Sequence, residues 1–439
     1  MARATAEEIL DKARRVADQA EVFFVESTST PVHFEANRVK AADSHETMGA
    51  AVRLIKSGRV GFSSTSKMDD PDALIEAALD TAQFGPEARF AFPGPAQFPD
   101  VPVYDPSVDG TTLEGMIALG QEVVDAVRSH SDQVTVEGSV SASSGTITLL
   151  NTNGGHFRYS RSGFGLGFEG TVIRGEDMLF VFDGKNSISP MTDVSGIVAS
   201  IIRQLDWAKE SATLQTKSMP VVFMPTAVPS VIIGPLLSAL NGKSAYQGTS
   251  PLVGRLGERI VDERFSLTDD ATLPRIPSSR MSDDEGVASR RLPLVERGVA
   301  RNFIYDLQTA GLAGAESTGS GERSLGSLPS PSASVLLVDE GDATLDELIA
   351  GIDEGLVVER LLGAGHGNIL GGDFNANVLL GFKIEKGQIT GRVKDTMVTG
   401  NAYRALSDLI AIGSEGRWLG GGLYTPAIAC ANVAVAAKA

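Results

Sequence analysis

The sequence is poor in cysteine and carries no signal for secretion. Cys430 is the only cysteine among 439 residues, so no disulfide can form within the chain, which is typical of a reducing compartment. The amino-terminal segment, MARATAEEILDKARR, has no long apolar run and predicts an amphipathic helix rather than a secretory signal. These absences predict a cytoplasmic protein.

Positive charge is also in deficit. The chain carries 38 Lys and Arg residues against 55 Asp and Glu residues, and a net charge of −17 repels a phosphate backbone over most of the surface. We therefore expect no direct nucleic-acid partner. The apolar content of 42% is that of an ordinary globular protein with an ample core.

A membrane span is not expected either. The segment 219–240 has no charged residue and is long enough to cross a bilayer, but it contains Pro220, Pro225, Pro229 and Pro235. A proline inside a helix costs about 3 kcal/mol, because it removes a backbone donor and clashes with the preceding turn. A buried strand followed by a short buried helix is the better interpretation.

The length predicts two or three domains, and the hydrophobic patterns indicate their limits. Residues 1–90 have the pattern of an α/β unit, residues 91–110 that of a linker rich in Pro and Phe, and residues 111–215 that of a second, related α/β unit. Residues 216–439 have short strands and many glycines. The expected fold class is α+β: duplicated α-β-β-β-β-α units, then a largely antiparallel β domain with a few helices.

Capping signals and apolar alternation locate the elements within these domains. Capping boxes are expected at Thr5 with Glu8, at 111–114 and at 344–347. Asn401 is expected to cap a helix that reaches Ile410. The strands of the two α/β units are expected at 22–27, 32–41, 47–56, 60–64, 134–142, 146–151, 164–168 and 178–182.

An acidic cluster precedes a predicted hairpin in the C-terminal domain. Asp283, Asp284 and Glu285 are followed by strand-forming residues that turn at 296–298. The cluster could form the lip of a site or bind a metal through its oxygens, but consecutive residues of an extended chain point to opposite faces. A solvated loop is the competing interpretation. Three cations are close enough in sequence to neutralise the acids instead: Arg280, Arg290 and Arg291.

No motif of a zinc peptidase or a serine hydrolase is present. None of the five histidines has His-Glu-x-x-x-His spacing, and no Gly-x-Ser-x-Gly elbow or phosphate-binding loop occurs. His366 lies in the glycine-rich run 363–372 near Asp373; it could carry a proton near neutral pH, and a surface histidine without a role is the alternative. The glycines of this run are expected to serve tight turns. Cys430 lies in an alternating apolar run, which indicates a buried, inert thiol.

Several motifs nevertheless resemble one known family over essentially the whole chain. In order, they are Ser279-Arg280 with Asp283-Asp284-Glu285-Gly286, Glu296-Arg297-Gly298, Ser317-Thr318-Gly319, Gly355-Leu356-Val357-Val358, Gly372-Asp373-Phe374 and Met397-Val398-Thr399-Gly400-Asn401. Their combination resembles the TldD/PmbA family, whose members are known as modulators of DNA gyrase and as TldD/TldE proteases. The resemblance implies metal-dependent proteolysis of small or unfolded peptides.

The chain departs from the catalytic branch of that family. TldD-type members carry His-Glu-x-x-x-His on a helix, and a late cysteine completes their zinc site. By approximate register, Leu237 and Gly242 stand at the histidine places and Ser238 at the glutamate place. Leucine and glycine have no side-chain lone pair for zinc, and serine is a poor general base. No metal ligand is therefore assigned, and no cofactor is expected in this chain.

The resemblance is thus to the PmbA (TldE) branch, whose members pair with a TldD-type subunit. It implies a non-catalytic subunit that dimerises, with a TldD-type chain or with itself, and whose glycine-rich strands bind an extended peptide in a cavity. Zinc is expected only in the TldD-type partner. Two alternatives are open: a self-sufficient peptidase around His366 and Asp373, and a binding protein that acts on gyrase or another partner. The residues expected to line or position the cavity are Asp283, Asp284, Glu285, Arg290, His366 and Asp373.

Overall fold

The computed structural model of the chain describes residues 4–365 and 367–438. Its first half alternates helices with long strands. The elements are α1 (Ala6–Ala13), β1 (Gln19–Glu35), β2 (Arg38–Ala42), β3 (His45–Lys56), β4 (Arg59–Thr65), α2 (Pro71–Ala82), a short 3-10 helix (Pro106–Val108), α3 (Leu113–His130), β5 (Thr135–Asn151), β6 (His156–Arg174), β7 (Asp177–Ser187) and α4 (Ser195–Trp207).

The strands of both α/β units form one antiparallel sheet. In the described part of the chain it has seven strands in the order β4-β3-β1-β5-β6-β7, and β2 also pairs with β1. The two units meet at the pairing of β1 with β5, which runs from Glu21 opposite Asn151 to Phe34 opposite Gly138. Apolar residues of α1 and α2 pack on β1 and β3, and those of α3 and α4 pack on β5, β6 and β7.

Three sequence predictions for this half were wrong in detail. The strands expected at 134–142 and 146–151 are one strand, β5, because the Ser and Gly residues between them pair with β1 and β6 without a break. The second unit therefore has three strands within the described residues. The strand expected at 32–41 is the end of β1 and most of β2, which meet at a tight turn where Ala36 and Asn37 have positive φ. Helix α3 is capped by Thr112, which accepts a hydrogen bond from the Gly115 N–H, and not by a box at 111–114.

The second half consists of shorter elements. They are β8 (Lys217–Phe223), a π-helical turn (Pro229–Ile233), α5 (Gly234–Leu240), α6 (Gly242–Tyr246), β9 (Leu267–Asp270), β10 (Arg291–Glu296), β11 (Val299–Ala300), α7 (Leu307–Ala313), β12 (Gly321–Glu322), β13 (Ser330–Pro331), β14 (Leu336–Val338), α8 (Leu345–Ala350), β15 (Glu354–Leu362), β16 (Asp373–Glu385), β17 (Gln388–Arg392), β18 (Thr396–Asn401), α9 (Ala402–Ser407), β19 (Leu409–Leu419) and β20 (Leu423–Ala437).

Apart from β12 and β13, which pair with each other, these strands form a second, largely antiparallel sheet that closes on itself. β8 pairs with β15 in parallel and with β20 antiparallel, so the path β20-β18-β16-β15-β8 completes a ring. One face of β8 packs through Val221 and Phe223 against the helical segment 229–240, and the other packs through Val222 and Met224 toward α3 and α4. The expected α+β fold class is confirmed.

Local predictions for the C-terminal half were mostly confirmed. The hairpins expected to turn at 296–298 and 385–387 are present as β10–β11 and β16–β17. Cys430 is buried in β20, and burial raises the pKa of its thiol to about 12, as expected of an inert cysteine. The helix capped by Asn401 is shorter than expected, because Leu409 and Ile410 belong to β19, which pairs with β20.

The uncharged segment 219–240 forms a buried strand and a buried helix, as expected. Across residues 4–365 and 367–438, no helix is long and apolar enough to cross a membrane.

Candidate functional site

The helical segment where a zinc motif would lie is part of the C-terminal core. It begins with a π-helical turn that has Pro229 in its first turn, continues as α5, and resumes as α6 after Asn241. Asn241 leaves helical geometry and caps α6 by accepting a hydrogen bond from the Lys243 N–H. Residues Val231, Ile232, Leu236 and Leu240 are buried and fix the orientation of the segment. The segment is therefore a rigid support for the side chains at its other positions.

Those remaining positions present no metal ligand. Leu237 is partly buried against the apolar core, and the hydroxyl of Ser238 donates to the Gly234 carbonyl at 2.9 Å. A Cβ at Gly242 would overlap the ring of Tyr305 and would lie 2.6 Å from the carbonyl oxygen of Ile304. The Gly242 N–H donates to that same carbonyl at 2.8 Å. The backbone of Ile304 thus occupies the space that any side chain at position 242 would need.

The three acids at 283–285 are buried, and the expectation of a solvated loop was wrong. Asp283 and Glu285 are fully buried and Asp284 is 8% exposed. Asp283 is held by backbone donors: its Oδ1 accepts from Glu285 and Val287, and its Oδ2 accepts from Gly321 at 2.8 Å. The acids therefore do not form a surface lip. Whether they act on a peptide stays a prediction.

The partner of Glu285 comes from the N-terminal unit. Its Oε1 accepts a hydrogen bond from Arg53 Nη1 at 2.5 Å, and its Oε2 accepts from the Leu307 N–H at 2.7 Å. Arg53 also contacts Glu21 Oε2 at 3.1 Å, and its guanidinium lies against the rings of two phenylalanines, Phe90 and Phe92. The acid cluster thus joins the C-terminal domain to the first sheet.

A second buried arginine reinforces this junction. The guanidinium of Arg323 stacks on the ring of Phe23, and its Nη1 lies 2.9 Å from Glu21 Oε1 although the N–H does not point at that oxygen. The Arg323 N–H donates to Asp284 Oδ2 at 3.0 Å. Burial lowers the pKa of Arg323.

Burial also shifts the carboxyl groups of the cluster. It raises the pKa of Asp283 to about 6 and that of Glu285 to about 7, although Arg280 and Arg53 respectively oppose the shift. Burial raises the pKa of Asp284 as well. Of the three cations expected to neutralise the cluster, only Arg280 is buried beside it. Arg290 donates to the Ser317 carbonyl, and Arg291 lies near Asp270.

The other predicted site residues lie elsewhere. Asp373 borders an open cavity of about 640 Å³ together with Asn401, whose Nδ2 donates to Asp373 Oδ1 at 2.9 Å. His366 falls outside the described residues, so its expected partnership with Asp373 stays a prediction. Gly363, Gly367 and Gly372 have positive φ values, which confirms that glycines of this run serve turns.

A cleft of about 510 Å³ lies between the first sheet and the C-terminal domain. Its floor consists of small residues on one face of β5 and β6, and its far wall comes from β15 and β19. The lining on these two sides includes Ser139, Ser141, Gly165, Gly167, Glu359, Arg360, Arg417 and Leu419. The strand β7 forms its edge, through residues 182–186. The cleft combines backbone, cationic and acidic groups on one concave surface.

Buried charges fix the walls of this cleft. Asp183, 3% exposed, forms an ion pair with Arg417, and Glu359, also 3% exposed, lies 3.3 Å from Arg203 Nη2. Burial raises the pKa of Glu359, against the attraction of Arg203 and Arg417. Each pair joins the central unit to the C-terminal domain, so the cleft has rigid sides.

The cleft was not anticipated from the sequence. The expectation that glycine-rich strands bind an extended peptide named no particular strand and stays a prediction, but β6, a glycine-rich strand of this cleft, pairs with β5 on one side and β7 on the other over this region. Its backbone groups are therefore taken up within the sheet. Alternating glycines in β6 were visible in the sequence, whereas Gln204, Asp183 and Glu359 carried no local signal.

Comparison with known proteins gives a consistent result. Models of the PmbA/TldA metallopeptidase match domain 1 over residues 20–82, the central domain over residues 106–207 and the C-terminal domain over residues 216–437. An uncharacterized protein of Methanocaldococcus jannaschii is 26% identical over 413 residues, which cover 92% of this chain and 94% of the relative. A TldD metalloprotease homolog of Haemophilus influenzae is 23% identical over 431 residues, covering 92% of this chain and 87% of the relative.

A solved structure extends the likeness to the whole fold. TldE from Thermococcus kodakarensis superposes with a TM-score of 0.91 at 25% identity, covering 99% of this chain and 100% of that one. The fold and the three matched domain models place this chain in a class of three-domain metallopeptidases. It belongs to the TldD/PmbA family, whose C-terminal domain model alone matches more than half of its residues.

Proposed function

We propose that this chain is a PmbA/TldE-type, non-catalytic subunit of a TldD/TldE-like metalloprotease complex that acts on small or unfolded peptides in the cytoplasm. The observation that carries the proposal is that no space exists for a side chain at Gly242. A histidine there would have to displace the ring of Tyr305 and the backbone of Ile304.

The donor set of the helix supports this role. A catalytic zinc ion needs three protein ligands with lone pairs and a group that activates water. Leu237 has no lone pair, and the hydroxyl of Ser238 is directed to the Gly234 carbonyl. A TldD-type partner would therefore supply both the zinc and the base, while this chain would supply part of the wall of the peptide cavity.

In this role the buried acids stabilise the wall of the cavity and do not contact the substrate. Glu285 holds the C-terminal domain against the first sheet through Arg53, and Asp284 accepts from the backbone of Arg323, whose side chain contacts Glu21 and Phe23 of that sheet. Arg290 and Asp373, both exposed, are the sequence-predicted residues that a peptide or a partner could reach directly.

The test compares the chain alone, a TldD-type chain from the same genome, and the two purified together. We expect substoichiometric zinc in the chain alone by metal analysis, and cleavage of unfolded casein only when the TldD-type chain is present. Alanine at Leu237 or Ser238 should leave the cleavage by the mixture unchanged, whereas alanine at the first histidine of the partner's motif should abolish it.

Three results would contradict the proposal. Stoichiometric zinc in the chain alone would restore a metal site. Casein cleavage by the chain alone, lost in His366→Ala, would favour the self-sufficient peptidase instead. Recovery of gyrase, rather than a TldD-type chain, on the tagged protein would favour the non-enzymatic alternative.

A further inference from the structure

The strand β7 is an edge of the first sheet. It pairs with β6 on one side, and within the described residues no strand pairs with its other side. An unpaired edge offers backbone N–H and C=O groups to another extended chain. Here the edge lies in the cleft of about 510 Å³ and not on open surface, so an incoming strand would be enclosed on its far side.

One position of this edge is already occupied by a side chain that imitates a strand. Gln204 of α4, 1% exposed, donates from Nε2 to the Phe182 carbonyl at 3.0 Å and accepts from the Phe182 N–H at 3.0 Å. A residue of a neighbouring antiparallel strand makes this same pair of hydrogen bonds. The outward-facing groups of β7 are thus correctly placed for strand pairing at this point.

At the next two outward positions, three of the four backbone groups are free of partners among the described residues. Because hydrogen-bonding directions alternate along a strand, Gly184 and Asn186 face outward as Phe182 does. The Gly184 N–H donates to Asp183 Oδ1 at 2.6 Å. Within residues 4–365 and 367–438, the Gly184 carbonyl and both backbone groups of Asn186 have no hydrogen-bond partner beyond the sheet.

The surroundings suit an extended chain. The small residues Ser139, Ser141, Gly165 and Gly167 line the cleft on β5 and β6, across β7 from an added strand, and the wall that such a strand would meet comes from β15 and β19. Lys185 on the same edge has no carboxylate within ion-pair distance in the described part of the chain, whereas Asp183 is already paired. Hydrogen bonds with Ser195 and the attraction of Lys185 lower the pKa of Asp193, but Lys185 makes no direct ion pair in the described part of the chain, so an acidic side chain beside it would meet a cation without a contacting carboxylate.

We propose that the edge of β7 at residues 184–186 binds an extended peptide by strand addition within this cleft, with preference for an acidic residue beside Lys185. The binding site lies on a different element from the closed helix at 237–242. This inference deepens the proposed function. It depends on that function only for the idea that the bound peptide is a substrate of the complex.

The test uses the full chain alone and a fluorescein-labelled, unstructured acidic peptide, with binding followed by anisotropy. Asn186→Pro removes the outward N–H, and proline is tolerated at an edge where the N–H does not serve the sheet. Asn186→Ala is the matched control, since it removes the side chain and keeps the N–H. We expect about tenfold weaker binding for the proline variant and near-native binding for the alanine variant.

A second measurement needs no variant of the protein. The same peptide N-methylated at alternate residues cannot pair with a strand edge, and it should bind at least about tenfold more weakly to the native chain. Lys185→Gln should weaken the acidic peptide but not its glutamine-substituted analogue. This arm decides the question if Asn186→Pro does not fold.

The proposal is overturned if the proline and alanine variants bind alike, or if N-methylation has no effect. It is also overturned if light scattering shows that the edge joins two copies of this chain, with Asn186→Pro dissociating a dimer and leaving peptide affinity unchanged. Because the assay contains no TldD-type chain and measures no hydrolysis, failure here leaves the non-catalytic role intact, and zinc in the chain alone would leave this site intact.

Discussion

Arg53 and Glu285 form a fully buried ion pair although they are 232 residues apart in the chain. Arg53 lies on β3, in the first sheet, and Glu285 lies in the loop that precedes β10. A buried ion pair offsets the desolvation of its members only while both are present. The pair therefore makes the contact between the first sheet and the C-terminal domain specific, and its loss has a measurable cost.

Arg53→Ala should destabilise the protein strongly. It leaves Glu285 buried without its cation and Glu21 with Arg323 alone, and the expected loss is about 3–5 kcal/mol in the free energy of unfolding by urea. The matched control is Arg255→Ala, which removes an exposed pair with Glu258 and should change stability by less than about 1 kcal/mol. Equal effects of the two substitutions would show that the buried pair is not a structural junction.

The acid cluster should make stability depend on pH. Burial raises the pKa of Glu285 from 4.5 to about 7 and that of Asp283 from 3.8 to about 6. The folded state then binds more protons than the unfolded state between these values, so the contribution of the cluster is full below the unfolded pKa and is lost as pH rises through the folded pKa. The melting temperature should fall from pH 5 to pH 8 for this reason.

Glu285→Gln isolates that effect, because glutamine keeps the shape of glutamate but cannot titrate. We expect a flatter dependence of melting temperature on pH in this variant. Glu263→Gln, at an exposed position, is the control and should follow the native curve. A Glu285→Gln curve parallel to the native one would assign the pH dependence to other groups.

Gly242→Ala tests the closed helix directly. The added methyl must displace Tyr305 or Ile304, and overpacking of this kind costs about 1–3 kcal/mol. Gly196→Ala in α4 is the matched control, since its Cβ meets no atom within 4 Å and alanine favours a helix. Thermal melting should show a loss for the first and none for the second. An unchanged Gly242→Ala protein would mean that position 242 is open to a side chain.

Gln204→Leu should leave both backbone groups of Phe182 without their partner. The expected cost is about 1–3 kcal/mol, which is the penalty of unsatisfied polar groups in a buried setting. Gln121→Leu is the control: its amide donates to Asp125 on the exposed face of α3, and its loss should cost less than about 0.5 kcal/mol. Urea denaturation compares the two, and a cost no greater than that of the control would mean that water replaces the amide.

Features encoded by neighbouring residues could be predicted from the sequence, and those encoded across the chain could not. The turn at 385–387 is specified locally, because Lys386 and Gly387 adopt positive φ between two alternating strands. Leu409 and Ile410 matched a helical pattern, but pairing of β19 with β20 overrides it. Local propensity is a weak guide where a distant strand supplies the hydrogen bonds.

The candidate site shows the same division. The absence of zinc ligands at Leu237 and Gly242 could be seen in the sequence, because it depends only on residue type. The burial of Glu285 could not, because the arginine that pairs with it belongs to another domain. The cleft along β7 depends on Gln204, Asp183 and Arg417, which the fold brings together from three separate segments.

The pairing of β1 with β5 has a consequence for how the chain can be divided. Residues 20–82 and 106–207 are separate family domains, yet one sheet runs through both. A protease that cleaves between Phe92 and Val101 should therefore leave two fragments that remain associated under native conditions and separate only in denaturant. Either fragment expressed by itself would expose a strand of 17 residues along its open side and should be prone to self-association.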